Sequence, residues 1–295
     1  MLDRKNVILI DFNNLAYRTY FVKDVHQDEE NPNIKLWRFL LIDNIYKSLY
    51  KINNVRSIIL AIDDYISWRK VYWGRYKESR KVHRATQSRV DWQFFFKSMN
   101  ELIDDIKDGL PFIPLKVQSA EADDIIAVIC MDKTEDDYII ISNDEDFLQL
   151  TGLPNVMLYC PNKERYLRTE KPEDFVTKLC LMGQSKDDIF NIKTPLDWPV
   201  GTRKPIFGER MLSKVLDEGV EKWLKENNLE ERYKANQMLV DFKKIPQIIR
   251  KRILEAYETY ELPSPDNMYT FFNKNKMQSY IEDYHKVESR LLQLY

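Results

Sequence analysis

Short apolar runs recur along the first half of the chain, and each ends in acidic residues. The segments NVILID, SIILAIDD and YIIISNDED each contain four or five consecutive apolar residues rather than an alternating pattern. Unbroken runs of this length are typical of strands that are buried on both faces of a parallel sheet. The segments PFIPLKV and NVMLYCP predict two further strands.

Helical patterns separate these runs. Apolar residues recur at helical spacing over roughly residues 13–23, 36–51, 91–108, 120–132 and 145–150. Strands that alternate with helices predict an α/β domain with a mostly parallel central sheet and flanking helices. From about residue 172 the strand signals stop and helical patterns dominate. We therefore expect an α/β catalytic domain over residues 1–180 and a helical region over residues 181–295.

The composition fits a folded protein. Hydrophobic residues make up 44% of the 295 residues and aromatic residues 13%, so the chain can bury a substantial core in one large or two modest domains. No apolar stretch approaches the length of a membrane span, and the first ten residues do not resemble a signal peptide. The three cysteines are widely spaced and form no zinc-ligand pattern with histidine. These features predict a cytoplasmic protein without a membrane partner.

Acidic residues mark the predicted carboxyl ends of three strands. Asp11, Asp63 and Asp144 each follow one of the apolar runs. The carboxyl ends of parallel strands meet at one edge of a sheet, and ligands bind in the crevice outside that edge. One acid after one strand is usually a turn residue or a helix N-cap. Three such acids, with Asp146 close behind the last, predict a binding site instead.

The segment SAEADDIIAV begins the fourth predicted helix and places Glu121, Asp123 and Asp124 within four positions. Each acid in a first helical turn is stabilised by about 0.3–1 kcal/mol through the helix dipole. Glu121 and Asp124, however, lie on one helical face, where like charges repel. A cleft lined by carboxylates suits Mg²⁺ or Mn²⁺ rather than zinc. Two such ions about 4 Å apart activate water and stabilise the leaving oxygen in phosphoryl transfer.

A basic segment lies between the second and third acidic elements. Residues 69–89, RKVYWGRYKESRKVHRATQSR, contain eight lysine or arginine residues and a single acid, Glu78. Tyr72, Trp73 and Tyr76 are interleaved with them. A charge run is often only a solvated face, and these aromatic residues could also pack inside an amphipathic helix. Beside clustered carboxylates, however, residues that bind phosphates and stack on unpaired bases indicate a nuclease.

The motifs LIDFNN, AIDD, WRKVYWGRYKESR, AEADDIIAV and SNDEDFLQL resemble, in this order, those of the flap endonuclease or structure-specific 5′-nuclease superfamily. Within it, the chain is most similar to the ribonucleases H of T-even phages, and the resemblance covers nearly the whole chain. It implies a helical arch at about residues 69–100 and a helix–three-turn–helix-like element in the helical region. It also implies a magnesium-dependent 5′-3′ exonuclease and flap endonuclease that removes RNA primers and 5′ flaps during phage DNA replication.

The resemblance assigns roles to individual residues. Lys77 and Arg80 match basic residues at the base of the arch that contact the scissile phosphate, and Tyr76 matches an aromatic residue that meets the terminal base. The sequence leaves open which of Asp123 and Asp124 faces an ion. The carboxylates that match the two metal sites are Asp11, Asp63, Glu121, Asp123 or Asp124, and Asp144 for the tighter site, with Asp146 and Asp187 for the second.

Further nucleic-acid contacts are expected from two basic stretches, the arch segment and the segment TRKPIFGERMLSKVL in the helical region. Their phosphate-binding or base-binding residues would be Arg69, Lys70, Tyr76, Lys81, Arg84, Arg203, Lys204, Arg210 and Lys214.

One motif departs from the family pattern. Where the superfamily has Gly-Asp-x-x-Asp, this chain reads GQSKD, with Gln184 in place of the first acid. An amide binds a cation through its oxygen but adds no negative charge. We therefore expect two Mg²⁺ sites of which the second is weak, with Mn²⁺ able to substitute for Mg²⁺.

Other classes stay open at this point. A PIN-type ribonuclease shares a metal centre at a strand edge, a phosphatase or receiver domain also places acids after strands, and a non-catalytic DNA-binding module needs only the basic surface. The resemblance implies flapped, nicked or RNA-primed DNA duplexes as substrates. It further implies a phage single-strand-binding protein and a sliding clamp as partners of a monomer in the host cytoplasm.

Overall fold

The computed structural model describes residues 4–26, 32–80, 90–199 and 202–295. Within these ranges one sheet contains the strands β1 (Asn6–Asp11), β2 (Val55–Ile62), β3 (Ile113–Lys116), β4 (Asp137–Ile141), β5 (Val156–Cys160) and β6 (Arg165–Leu167). Their order across the sheet is β3-β2-β1-β4-β5-β6. All neighbouring strands are parallel except β5 and β6, which pair antiparallel. The mostly parallel α/β architecture expected from the sequence is confirmed.

The strand order reverses at β1. Strands β2 and β3 lie on one side of β1, and strands β4 and β5 lie on the other. The pairing sets Asp11 opposite Ala61 and Ile10 opposite Ile141. The carboxyl ends of β1, β2 and β4 therefore lie side by side, at the topological switch point where open α/β sheets bind ligands.

Helices cover the sheet and form most of the chain after β6. No helix in the described ranges is long and apolar enough to cross a membrane. The expected helix at residues 145–150 is a 3-10 helix, Glu145–Leu150. The α-helices are α1 (Phe12–Tyr20), α2 (Ile34–Lys51), α3 (Trp68–Tyr72), α4 (Trp92–Gly109), α5 (Ala122–Asp132), α6 (Pro172–Met182), α7 (Glu209–Glu218), α8 (Val220–Glu226), α9 (Glu230–Val240), α10 (Gln247–Glu258), α11 (Asn267–Lys274), α12 (Gln278–Glu282) and α13 (Tyr284–Leu291).

Alternate residues of the central strands face two separate cores. Ile8 and Ile10 of β1 pack with α1, α2, α4 and the last three helices, whereas Val7 and Leu9 pack with α5 and α10. All four side chains are at most 2% exposed. This burial on both faces explains why the strands appear in the sequence as unbroken apolar runs.

The chain after residue 180 is not a separate body. Phe271 and Leu291 belong to the core that contains Ile8, and Ile249 belongs to the core on the opposite face of the sheet. Residues between α6 and α9 pack instead into two smaller clusters, one of them around Trp223. The chain thus leaves the sheet after β6 and returns to cover both of its faces. The division at residue 180 stays a prediction, with helices from beyond it packed on the sheet of the first part.

Gly183 ends α6 in a conformation that suits only glycine. Its φ of 72° lies in the left-handed region, and a Cβ atom there would overlap the carbonyl oxygen of Ile189. The backbone then pairs Gln184 with Ile189 in an isolated antiparallel bridge. This tight reversal directs the GQSKD motif back toward the carboxyl ends of the strands.

Replacing Gly183 is expected to loosen this reversal. Gly183→Ala should lower the free energy of unfolding by about 1–3 kcal/mol, because the new methyl group meets backbone atoms in a strained conformation. Urea unfolding measures the loss. Gly74→Ala is the matched control, since Gly74 has ordinary φ and no atom within 4 Å of the added Cβ. Equal stability losses in the two variants would contradict this role of Gly183.

Candidate active site

Asp11 and Asp63 lie at the ends of adjacent strands. Asp11 ends β1, and its Oδ1 accepts a hydrogen bond from the Asn14 amide at 3.0 Å, so that Asp11 is also the N-cap of α1. Asp63 follows β2, and its Oδ1 accepts from the Ala122 amide at 2.8 Å. That contact ties the end of β2 to the first turn of α5. The sheet edge thereby brings Asp11 and Asp63 beside the acids of α5.

Glu121, the N-cap residue of α5, has several cationic and hydrogen-bonding partners. Its Oε1 accepts from Lys77 Nζ at 2.6 Å, and its Oε2 accepts from Arg69 Nη1 and the Tyr76 hydroxyl, each at 3.0 Å. Burial alone would raise the pKa of Glu121, but Lys77 and Arg69, with hydrogen bonds from Lys77 and Tyr76, lower it to about 2. Protein cations therefore already compensate this carboxylate.

The two neighbouring aspartates of α5 have different surroundings. Asp124 is fully buried: its Oδ2 accepts from Trp68 Nε1 at 3.0 Å, and Arg69 Nη1 lies 2.8 Å from its Oδ1. Its Oδ2 also accepts from the Glu121 amide at 2.9 Å in a capping box. Burial, followed by the negative charge of Asp144, raises the pKa of Asp123 well above its ordinary value. The oxygens of Asp124 are thus paired inside the protein, whereas Asp123 has no ion-pair partner among the described residues.

Asp144 and Asp146 share one ammonium group. Lys186 Nζ lies 2.6 Å from Asp144 Oδ1, 2.9 Å from Asp144 Oδ2 and 2.9 Å from Asp146 Oδ2. Gln184 Nε2 donates to Asp146 Oδ1 at 2.7 Å. The reversal after α6 therefore brings two side chains of the GQSKD motif to the acids that follow β4.

Asp187 is buried beside the two predicted phosphate-contacting residues. Arg80 Nη2 donates to its Oδ1 at 2.5 Å, and Lys77 Nζ lies 4.0 Å from the same oxygen. The Lys77 amide also donates to the Asp187 carbonyl oxygen at 3.0 Å. Lys77 adopts a left-handed backbone with a φ of 53°, a costly conformation that is concentrated at functional sites. Lys77 and Arg80 are therefore part of the acidic cluster.

Three acids of the cluster have no ion-pair partner among the described residues: Asp11, Asp63 and Asp123. Burial raises the pKa of all three. The pKa of Asp11 rises to about 7, through burial first and then through the charges of Asp63 and Asp144. Carboxylates that raise one another's pKa lack positive charge, and a bound divalent cation supplies it.

A divalent cation fits the chemistry of this donor set. Carboxylate oxygens are the hard ligands that Mg²⁺ and Mn²⁺ prefer. In the part of the chain that the structure describes, however, no three acids converge closely enough to hold an ion. Lys77, Arg80 and Lys186 pair with the carboxylates instead. Protein cations therefore occupy part of this donor set.

Part of the basic segment is structural. Arg69 is only 2% exposed; its Nε donates to the Leu239 carbonyl oxygen at 2.9 Å, and its guanidinium lies over the Trp68 ring. Tyr76 is 4% exposed, so its ring is not available to stack on a base. Both side chains instead donate hydrogen bonds to Glu121 from inside the protein, and their predicted nucleic-acid contacts stay untested. Lys70 is half-buried and donates to the Tyr76 carbonyl oxygen at 3.0 Å.

The remaining predicted contact residues divide into two groups. Lys81 and Arg84 lie outside the described residues. Four others lie near or on α7 and are exposed: Arg203, Lys204, Arg210 and Lys214. Lys214 also lies 3.7 Å from Glu218 of the same helix. The exposure of these four residues is compatible with duplex binding, which stays a prediction.

Two residues of the site are not among those predicted from the sequence: Lys186 and Trp68. Lys186 lies inside GQSKD, between a glutamine and an aspartate that were both considered as cation ligands. A lysine within such a motif is a signal that it pairs with the same acids. Trp68 carries no comparable signal, because its indole reaches Asp124 only through the tertiary packing of α3 against α5.

Comparison with known proteins identifies the class. The family model of the 5′-3′ exonuclease N-terminal resolvase-like domain matches residues 6–179, and the model of the T4 ribonuclease H C-terminal region matches residues 171–287. The chain belongs to the 5′-3′ exonuclease family. The expected resemblance is confirmed, and this 5′-3′ exonuclease is a hydrolase that acts on phosphodiester bonds.

Individual relatives agree with this assignment. Ribonuclease H of Enterobacteria phage T4 is 31% identical over an alignment of 291 positions that covers 93% of this chain and 94% of the relative. A 5′-3′ exonuclease of Buchnera aphidicola is 29% identical over an alignment of 210 positions that covers 65% of this chain and 69% of the relative.

A solved structure shares the fold of this 5′-3′ exonuclease. It is the flap endonuclease of bacteriophage T5 in a pseudo-enzyme-product complex with DNA and metal ions. Its TM-score is 0.61 at 20% identity, and the match covers 86% of this chain and 100% of the other.

The metal-free 5′-3′ exonuclease is expected to lose stability as the pH rises through the titration of Asp11. Its pKa of about 7 in the folded protein lies above the ordinary value of 3.8, so the protonated acid favours folding. This contribution is fully present below pH 3.8 and is lost as the pH rises past about 7.

Asp11→Asn removes this titration and keeps an N-cap for α1, since asparagine is as good a cap as aspartate. In chelator, the variant should unfold at a higher temperature than the wild type at about pH 8, and the difference should shrink toward about pH 4. Thermal unfolding across this pH range measures the difference. A variant that is less stable than the wild type at the higher pH would contradict the proposed repulsion.

Proposed function

We propose that this chain is a 5′ nuclease that uses divalent cations to hydrolyse phosphodiesters near the 5′ ends of flapped, nicked or RNA-primed DNA duplexes. The observation that carries the proposal is one cluster in which Lys77 and Arg80 lie among acids from distant segments. Family membership supplies the reaction class. The substrate class is suggested by the relatives, whose names are ribonuclease H, 5′-3′ exonuclease and flap endonuclease.

Six acids of the cluster are proposed as the principal cation ligands. Asp11, Asp63 and Asp123, which lack protein cations, would hold the tighter ion together with Asp144. Asp146 and Asp187 would hold the weaker ion, with Mg²⁺ as the ion and Mn²⁺ as a substitute. When bound, such ions supply Lewis acidity that activates water and stabilises the departing oxygen. Glu121 would lie at the margin of this site, because Lys77, Arg69 and Tyr76 already occupy its oxygens.

Lys77 and Arg80 are proposed to neutralise the scissile phosphate. Glu121 fixes the Lys77 ammonium at 2.6 Å, and Asp187 fixes the Arg80 guanidinium at 2.5 Å. An incoming phosphodiester would supply these two cations with new anionic partners. Positive groups that are already in place stabilise the charge of the transition state without the cost of reorganisation.

The exposed basic residues around α7 are proposed to contact duplex phosphates. Arg203 and Arg210 are exposed on the segment that follows the reversal at Gly183, and that region matches the T4 ribonuclease H C-terminal model. Each phosphate contact releases counterions, so duplex affinity would fall steeply with salt. A single-strand-binding protein and a sliding clamp of phage replication stay proposed partners on the strength of family membership alone.

Cleavage of a duplex with a 5′-labelled flap tests the function directly. Short labelled products are expected with Mg²⁺ and none in chelator. Nicked and RNA-primed duplexes in the same assay separate flap cleavage from exonuclease action and primer removal. Cleavage that continues in chelator, or release of phosphate from a small ester without flap cleavage, would contradict the proposal.

Asp123→Asn is expected to reduce cleavage, whereas Asp124→Asn is expected to reduce stability. Asp123→Asn should slow flap cleavage by at least roughly 100-fold, because it removes a proposed cation ligand, while stability in chelator is kept or raised. Asp124→Asn should lower the free energy of unfolding by about 1–3 kcal/mol, because the buried Arg69 loses an anionic partner. Cleavage rates and urea unfolding measure both effects.

The contrast between the two variants tests the choice of Asp123 over Asp124. Full activity in Asp123→Asn, together with lost activity and unchanged stability in Asp124→Asn, would reverse the assignment.

A further inference from the structure

Lys186 contacts two acids of the proposed cation site. It is neither a proposed cation ligand nor one of the two residues proposed to neutralise the scissile phosphate. We propose that Lys186 is a built-in counter-cation for Asp144 and Asp146, and that the weaker divalent cation binds by displacing its ammonium group. This role rests on the proposed function, since it concerns the same acids.

The geometry leaves few free oxygens on these two acids. The ammonium of Lys186 lies within 2.9 Å of both oxygens of Asp144 and of Asp146 Oδ2. The second oxygen of Asp146 accepts from Gln184 Nε2 at 2.7 Å. Asp144 Oδ1 also accepts from the Asp146 amide at 2.9 Å. The weaker cation, which would bind Asp146, must therefore replace at least one of the two donors to that carboxylate, Lys186 or Gln184.

The Lys186 side chain can move into solvent at low cost. Its side chain is 43% exposed, whereas those of Asp144 and Asp146 are 23% and 15% exposed. A lysine ammonium is strongly hydrated and sits on a flexible stem, so water replaces the acids as its partner at low cost. Gln184, in contrast, is buried and held by the backbone bridge to Ile189.

The charges explain why exchange is favourable. Asp144 and Asp146 carry two negative charges and share one ammonium, so one charge stays uncompensated. A divalent cation at Asp146 supplies two positive charges where the ammonium supplies one. The GQSKD motif thus weakens the second site in two ways: Gln184 withholds a negative charge, and Lys186 competes for the charges that remain.

Calorimetric titration of Mn²⁺ into the full chain tests the competition. Lys186→Met removes the ammonium but keeps an unbranched side chain, and it should tighten the weaker Mn²⁺ site roughly two- to fivefold, as expected for loss of a partly exposed ion pair. Lys186→Arg keeps the charge and should retain wild-type affinity. Lys163→Met is the matched control, because Lys163 is 44% exposed and pairs with Glu145, next to the same acids.

Stability supplies a second readout that does not depend on activity. In chelator, Lys186→Met should unfold at a lower temperature than the wild type, because Asp144 and Asp146 lose their shared cation. Saturating Mn²⁺ should remove this difference in unfolding temperature. Lys163→Met should show no such dependence on Mn²⁺.

Two results separate failure of this inference from failure of the proposed function. If the wild-type protein cleaves flaps and Lys186→Met binds Mn²⁺ with unchanged affinity, the role of Lys186 alone is overturned. Tighter Mn²⁺ binding in Lys186→Met, with no flap cleavage by the wild type in Mg²⁺ or Mn²⁺, would support the role of Lys186 and overturn the proposed function.

Discussion

The structure depends on keeping several carboxylates charged at one crowded edge of a parallel sheet. Burial disfavours each charge, and neighbouring acids disfavour it further. Lysine and arginine side chains of the protein compensate part of this negative charge. Arg69 and Lys77 compensate Glu121, Arg80 compensates Asp187, and Lys186 compensates Asp144 and Asp146. This set leaves Asp11, Asp63 and Asp123 without an ion-pair partner in the described part of the chain, and their charge is what a bound metal ion would balance.

The path of the chain makes this arrangement possible. The reversal of strand order at β1 sets the ends of β1, β2 and β4 side by side. The capping contact between Asp63 and Ala122 fixes α5 against that edge, and the tight reversal at Gly183 returns the GQSKD motif to it. The last helices then pack on the sheet itself. A cluster built from distant segments therefore depends on long-range packing rather than on any one motif.

The sequence predicts the fold, and it predicts that acids meet at one edge of the sheet, because both features leave local signals. Unbroken apolar runs mark doubly buried strands, and acids directly after them share one sheet edge. The direction of a side chain leaves no such signal. Arg69 and Tyr76 lie in a basic, aromatic segment but face inward to Glu121. Asp124 accepts a hydrogen bond from Trp68, whereas the pKa of its neighbour Asp123 is raised by burial and by the charges of Asp144 and Asp11. Helical composition also does not reveal which helices return to the sheet, as those that contain Ile249 and Phe271 do.

The most direct test is a crystal structure of the wild type grown with Mn²⁺, with anomalous scattering used to locate the ions. We predict an ion bound by oxygens of Asp11, Asp123 and Asp144, with the Lys186 ammonium withdrawn wherever a second ion contacts Asp146. An ion bound away from these acids, or Asp11 and Asp123 too far apart to share one, would contradict the central claim that metal charge completes this cluster.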